Sequence, residues 1–490
     1  MREERFMEKK KRPNIKVNFI FNAIKSVMVI VFPLISFPYI SRVLGVEGLG
    51  KFQYCYSVIS YFILFASLGI GTYAVREAAK CRDNKQKFSQ LVKEIFTINL
   101  ITTAIVYVVL VVFFMVGAFK GRESIMLVCS LCIIGSTLCV DWLYQALEQY
   151  VYISIRTIVL QIISLALTFL LIKSERDVLA YTALYVFSTY GYCFLNLFQM
   201  RKYVSFHGTK KLELKKHLRP IIVIFGATLS VSIYMNMDTV MLGAICGDYQ
   251  VGLYSAAVKI NNVVKIIINS IGVVLLPRLV EYIAKGQRDE YEKLFKRGAE
   301  LNMFLSTAST AGLFVLIRPI ILLFSGKDYL PAIWTGRVLA LRLFFSALDN
   351  VFYNQVLIPT ENENKAFIGT AAGAVSNLIL NAILIPQYQE MGAAIATVIS
   401  ECVVFIYFIC ATRKIIPLRI VLGGAPKFLA AAGIMGIVIN YFMKYVGGAF
   451  MQLLVLVPAG ALIYIAVVAI FHLLENKKSE KANQQKGPAA

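Results

Sequence analysis

Fourteen apolar runs of 20–27 residues follow one another along the chain: 19–43, 52–75, 94–117, 124–146, 153–172, 178–200, 221–246, 253–276, 299–324, 332–358, 366–386, 391–411, 428–447 and 450–474. A helix needs about 20 mostly apolar residues to cross roughly 30 Å of hydrocarbon. Lipid offers no partner for an open backbone, so each run is predicted as a membrane-spanning α-helix. Composition agrees: AVILMFWYC make up 58% of the 490 residues and DEKR only 16%, against about 25% charged in soluble domains. So few charges could not cover a water-soluble globule. The gaps between runs reach only about twenty residues, which leaves no room for a nucleotide-binding domain. An ATP-driven pump in one chain is thereby excluded. The gap at 387–390 is short enough to demand a tight hairpin.

The chain is basic, with 50 Lys+Arg against 28 Asp+Glu and a formal charge of +22. These cations sit in the short gaps rather than on a soluble module, which argues against nucleic acid as a partner. With the N-terminus in the cytoplasm and alternating loops, cytoplasmic segments (Arg156 included) hold 36 Lys/Arg and outer segments, including Arg122, hold 7. The positive-inside rule supports that orientation and an even number of spans, with both termini cytoplasmic. A missed span would swap the side of every later loop. Residues 1–16 carry seven cations. The apolar stretch behind them runs on to Val43 without a small-residue cleavage site, so it is expected to remain as the first span.

The nine Cys lie mostly within apolar runs. Cys129 and Cys132 are spaced as C-x-x-C but have no His or second Cys pair in register, so neither metal nor redox chemistry is expected. Gly69 and Gly71 mimic part of a dinucleotide fingerprint yet follow no strand. His207, His217 and His472 lie in or beside charged segments, without a partner that suggests catalysis. No cofactor and no catalytic group are expected.

A charge at the centre of a membrane helix costs about 2.5–3.5 kcal/mol on insertion scales, which makes it a functional candidate. At about 100° per residue, Ser255, Lys259, Asn262, Lys265, Asn269 and Ser270 share an arc of roughly 140° on the eighth run. The other side is Val, Ile and Leu. Asn and Ser serve helix packing, but packing does not explain two Lys, so a water-filled cavity is expected along this face. Arg342, Ser346, Asp349 and Tyr353 share a face of the tenth run. Arg342 and Asp349 lie about 10 Å apart along the axis, leaving an ion-pair network and a transport role equally open. Lys25 sits about two turns into the first run, and Arg42 at its outer end reads as an interfacial anchor. Asp141, Asp238 and Glu401 are the other acidic candidates, for pairing with a cation or taking up H⁺ or Na⁺. Pro33 and Pro38 remove backbone donors and bend the first span, which suits either a gate or static curvature. Gly369, Gly373, Asn377 and Asn381 recur every four residues, the spacing of close helix contact.

The end of the first run reads Val43-Leu44-Gly45, then Gly48-Leu49-Gly50-Lys51-Phe52. The end of the seventh reads Met241-Leu242-Gly243, then Val251-Gly252-Leu253-Tyr254. Six spans separate the two motifs, and an even offset keeps the same orientation, which implies parallel repeats about an axis along the membrane normal. The predicted fold is an all-α polytopic membrane protein of about 14 helices. Two six-helix lobes, 1–204 and 205–414, would be related by a pseudo-two-fold, with two further helices in 415–490.

Further segments are Tyr39-Ile40-Ser41-Arg42-Val43-Leu44-Gly45; Leu68-Gly69-Ile70-Gly71 followed by Arg76; Asp141-Trp142-Leu143-Tyr144-Gln145-Ala146-Leu147-Glu148; Leu276-Pro277-Arg278; and Asn381-Ala382-Ile383-Leu384-Ile385-Pro386 with Gly392-Ala393-Ala394-Ile395-Ala396-Thr397. In these and over nearly its whole length, the chain resembles the polysaccharide repeat-unit flippases. These are Wzx-like O-antigen, capsule and exopolysaccharide translocases of the multidrug/oligosaccharidyl-lipid/polysaccharide (MOP) exporter superfamily. Asp-Trp-x-Tyr-Gln-x-x-Glu is the most specific piece, and Ala146 stands where family members often have Gly.

The resemblance implies a carrier rather than an enzyme. It would move undecaprenyl-diphosphate-linked oligosaccharide from the inner to the outer leaflet of a bacterial cytoplasmic membrane by alternating access. Lys25, Arg42, Lys259, Lys265, Arg342, Asn262 and Asn269 would bind the anionic head group and sugars, through charge-assisted hydrogen bonds where they are cationic. Asp141, Asp238, Asp349 and Glu401 would pair with cations or couple transport to H⁺ or Na⁺, and Pro33 and Pro38 would serve gating. Expected partners are the polyprenyl-linked oligosaccharide, membrane lipids and a polysaccharide polymerase, with a monomer as the default. Three rivals stand beside this reading. A lipid II flippase would share the fold, though the Asp-Trp-x-Tyr-Gln motif leans against it. A multidrug and toxin extrusion (MATE) cation antiporter should have an acid-rich cavity. A membrane glycan polymerase would need a larger outer loop.

Overall fold

A computed structural model describes residues 15–205 and 211–485, so His207 lies outside it. All regular structure among the described residues is helical. The chain begins with α1 (Ile15–Ser67), α2 (Ile70–Cys81), α3 (Lys85–Met115) and α4 (Glu123–Leu138). Then come α5 (Asp141–Ala146), α6 (Tyr150–Leu171), α7 (Val178–Tyr190), α8 (Cys193–Met200) and α9 (Lys215–Ile245). The remainder is α10 (Asp248–Ala284), α11 (Arg288–Phe324), α12 (Ile333–Phe352), α13 (Glu363–Thr412), α14 (Leu418–Leu422), α15 (Ala425–Phe442) and α16 (Ala449–Gln485).

Every expected run has its helix. Ten helical stretches among the described residues are long and apolar enough to cross a membrane. Two of them, 16–81 and 363–412, each contain two of the expected runs, while α9 and α12 cover those at 221–246 and 332–358. The protein is a multi-pass membrane protein. Its chain packs as two compact units, Met1–Gly252 and Leu253–Ala490. That division follows packing, whereas the expected lobes follow repeat order.

Boundaries differ where the backbone turns. The first two runs are separated by one non-helical residue, Gly45 (φ 68, ψ −177), a conformation open to glycine because it has no Cβ. The helix itself runs on through Pro33 and Pro38. The second run ends at Ser67 rather than 75. Leu68 and Gly69 adopt positive φ and turn the chain into α2, which buries Ile70, Tyr73, Ala74 and Ala78. The fourth run breaks at Val140 (φ 39) before α5. The tight hairpin predicted near 387–390 is present, with its break at Gln389 (φ 53, ψ −129) inside α13.

The packing is that of a bundle in hydrocarbon. On α3, Ile101, Ile105, Val108 and Val112 form an exposed stripe, while Asn99, Thr103, Val106 and Leu110 are buried. With lipid as solvent, apolar side chains gain nothing by facing inward, and buried hydroxyls bond across helices instead. Thr103 and Thr137 share such a bond at 2.6 Å. In the first unit a core forms around Ile70, Ile95, Leu143, Tyr144 and Ile221. In the second it forms around Phe295, Leu348, Phe352, Phe408 and Tyr464.

Candidate functional site

In the second unit α10 presents the predicted stripe. Lys259, Asn262, Lys265 and Asn269 are half-buried and Ser255 is buried, whereas Ile267 and Val274 on another face are exposed, as are Ile266 and Val273, two apolar positions within the same arc. Ser270 is the exception: it is exposed and bonds its own helix at the Ile267 carbonyl, 2.7 Å away. Lys265 is anchored, its Nζ lying 3.2 Å from Glu401 Oε1. Arg342 Nε reaches the same oxygen at 2.8 Å. One carboxylate, 4% exposed, thus draws cations from α10 and α12 onto α13. Asp349 completes the group. It is 7% exposed, lies within electrostatic reach of Glu401, and neither of its oxygens has a hydrogen-bond partner among the described residues. The ion pairs thus centre on Glu401 and not on Asp349, the acid that shares a face with Arg342 in the sequence.

In the first unit Asp141, at the start of α5, accepts from Arg156 Nη2 at 2.5 Å and from Tyr192 Oη at 3.0 Å. Asn196 donates to the Cys139 carbonyl and to Asp141 (3.0 Å), and accepts from Arg156 and from Tyr152 Oη. The Arg156 guanidinium stacks 3.9 Å from the Tyr192 ring centroid. Tyr144 Oη donates to the Asn196 carbonyl. The Asp-Trp-x-Tyr motif is thus largely a packing device. Arg156, counted above with the cytoplasmic loops, is 5% exposed inside the bundle. Its place four residues into an apolar run was the signal that could have marked it. Asp141 keeps a side chain 35% exposed, and half-buried Lys25 lies within its electrostatic reach.

The two glycine-bearing motifs of the repeat touch each other within the first unit. A Cβ on Gly50 would lie 1.8 Å from the Asp248 carbonyl oxygen, and one on Gly252 would lie 2.0 Å from that of Val46. Each glycine admits the other motif's backbone, a reciprocal contact. Arg122 clasps the same region: it pairs with Asp248 at 2.8 Å, donates to the Gly243 carbonyl at 3.0 Å and sits 4.0 Å over the Tyr54 ring. Its partners lie 68 to 126 residues away, and nothing in the sequence singled it out.

Other candidates are placed less tellingly. Arg42 is exposed and donates to the Pro38 carbonyl at 2.8 Å on its own helix. Asp238 is buried within electrostatic reach of Tyr61. His217 proves to be buried and partnered, between Tyr73 Oη at 2.7 Å and Glu94 Oε2 at 2.8 Å. Glu94 also accepts from Lys216, Gln90 and the Glu213 amide, so this knot ties α2, α3 and α9 together.

The sequence profile of the polysaccharide biosynthesis protein family matches residues 15–283, and that of the MatE family matches 223–386. A candidate O-antigen transporter of Escherichia coli (strain K12) is 25% identical over 80% of this chain and 95% of its own. The capsular polysaccharide biosynthesis protein CapF of Staphylococcus aureus is 21% identical over 65% and 79%. Among solved structures, the lipid II flippase MurJ in an inward closed conformation superposes with a TM-score of 0.77 at 17% identity, covering 92% of this chain and 99% of that one. An inward-facing multidrug resistance MATE family transporter of the MOP superfamily gives 0.59 at 13%, covering 81% and 97%. These structures share the fold. With a profile match across more than half its length, and with the motifs of the Wzx-like MOP transporters, the chain belongs to the polysaccharide biosynthesis protein family.

Proposed function

We propose that this protein carries polyprenyl-diphosphate-linked oligosaccharide units from the inner to the outer leaflet of a bacterial cytoplasmic membrane by alternating access, with both termini in the cytoplasm. The observation that carries the reading is the polar face of α10, where two lysines and two asparagines stay half-buried in one arc. Such a face suits an anionic head group bearing hydroxyl-rich sugars. Lys259 and Lys265 would hold the diphosphate through charge-assisted hydrogen bonds, with the polyprenyl chain left in lipid. An inside-negative potential favours outward movement of each negative charge by about 2.3 kcal/mol per 100 mV.

Proton coupling belongs to Asp349 and Glu401. Two carboxyl groups facing each other resist a second charge, and Lys265 and Arg342 supply the compensation. Drawing Lys265 onto a diphosphate leaves the pair short of one cation, so substrate binding and proton uptake are linked there. Two rivals are disfavoured on specific grounds. A cation exporter is poorly served by the lysine face. The MurJ likeness supports a shared fold, while the named relatives in sequence concern O-antigen and capsule.

The test is the leaflet distribution of lipid-linked repeat units in cells lacking the protein and any redundant flippase. Units should accumulate in the inner leaflet and be cleared by wild type but not by an expressed, correctly inserted Lys259→Ala/Lys265→Ala variant. Normal arrival in the outer leaflet without the protein would sink the reading.

A further inference from the structure

In the second unit, within its charge-rich segments, α11, α15, α16 and the 417–424 segment that contains α14 line an open cavity of about 520 Å³. Its polar lining is Lys296, Glu300, Arg419, Lys427 and Glu475, with Gly423 and Gly424 beside them. Lys427 is engaged by Glu475 at 3.2 Å. Lys296 and Arg419 are exposed and form no ion pair among the described residues. Two more exposed cations, Arg413 and Lys414, precede the 417–424 segment. The cavity thus holds a cationic excess with two donors uncommitted.

The backbone adds to it. α15 opens at Gly424 with no side-chain cap and Pro426 in its first turn, so its first amides lack a side-chain acceptor, and a helix N-terminus favours an anion. A Cβ at Gly424 would lie 3.0 Å from the Phe428 ring and 3.5 Å from Lys427 Cε; glycine keeps this wall open. The surroundings are apolar. Pro417 and Ile420 belong to the cavity's lining, Leu418 adjoins Arg419 and Leu474 adjoins Glu475, and both leucines are exposed. Cations in a cavity with exposed leucines beside them in the chain match a molecule that is anionic at one end and aliphatic at the other. A soluble phosphate would gain nothing from the leucines.

We propose that this cavity binds the head group of an anionic phospholipid, its phosphate held by Lys296, Arg419 and Lys427 and its acyl chains lying along the leucines. Basic pockets between membrane helices on the cytoplasmic side take phosphate head groups in this manner. The site shares no residue with the α10 stripe or the Glu401 cluster, so it stands apart from the proposed transport path.

The test uses the purified full-length protein in detergent, delipidated and then titrated with phosphatidylglycerol or phosphatidylcholine under native mass spectrometry. Wild type should retain phosphatidylglycerol in preference. Lys296→Ala/Arg419→Ala should bind it about thirtyfold more weakly, from two lost surface charges, while keeping the Lys427–Glu475 pair and a monodisperse elution profile. Gly424→Val crowds Lys427 and the Phe428 ring beside the cavity without removing a charge, and should show a similar loss. Lys293→Ala, an exposed position on the same helix, should change nothing. Equal retention of both lipids, or retention unchanged in the double variant and in Gly424→Val, would overturn the proposal. So would displacement of phosphatidylglycerol by equal concentrations of inorganic phosphate, which marks a soluble-anion site. Displacement by polyprenyl phosphate would instead assign the cavity to the cargo.

Discussion

Glu401 accepts from Lys265 and Arg342 through one oxygen, in a setting where both its own side chain and that of Arg342 are less than one-tenth exposed. Removing one partner of a buried ion pair strands the others, at a cost of about 3–5 kcal/mol. Glu401→Ala should therefore lower the yield of folded protein and its melting temperature, measured in detergent by size exclusion and thermal unfolding. Asp349→Asn should behave differently. Its carboxyl has no donor to lose, and an amide mimics the protonated acid in shape. The variant should fold as well as wild type while its binding of diphosphate lipid becomes flat with pH. A binding curve that keeps the wild-type pH dependence would remove Asp349 from the coupling role.

Among elements, the 46–50 and 248–252 segments approach too closely to admit a Cβ at Gly50 or Gly252, so their meeting depends on glycine at both positions. Gly50→Val or Gly252→Val should prevent the approach of the 46–50 and 248–252 segments and cost most of the folded protein. Gly71→Ala, with nothing within 4 Å of the added carbon, should be tolerated, which makes it the control for a fluorescence-detected size-exclusion assay. Arg122→Ala leaves the glycines in place but removes the ion pair to Asp248 and the bond to the Gly243 carbonyl. If this clasp keeps the two motifs together, cysteines placed near Lys51 should gain solvent labelling in that variant. Unchanged labelling would mean the glycine contact holds alone.

For the whole molecule, the charge asymmetry of the loops predicts that the 278–297 side faces the cytoplasm. Lys285 and Lys120 are exposed at opposite sides by that assignment. After replacement of the exposed native Cys410, Lys120→Cys should react with an impermeant maleimide in intact cells. Lys285→Cys should react only after permeabilisation. The reverse pattern would invert the topology and with it the proposed direction of transport.

The number of spans, the helical class, the 387–390 hairpin and the polar face of α10 were all legible in the sequence. Each follows from local facts: about 20 apolar residues per crossing, a backbone that must bond to itself in lipid, and a 3.6-residue period. The resemblance to repeat-unit flippases was legible too, because it rests on contiguous motifs. The breaks at Leu68–Gly69 and Val140 were not, since an apolar run reads the same whether one helix or two fill it. Nor were the partners. Glu401 collects cations from 59 and 136 residues away, and Arg122 finds Asp248 at a separation of 126. Arg156 leaves its loop for the interior because Asp141, Asn196 and a ring of tyrosines give its charge a place there. A buried charge is stable only where opposite charge and donors converge, and that convergence is set by how helices pack.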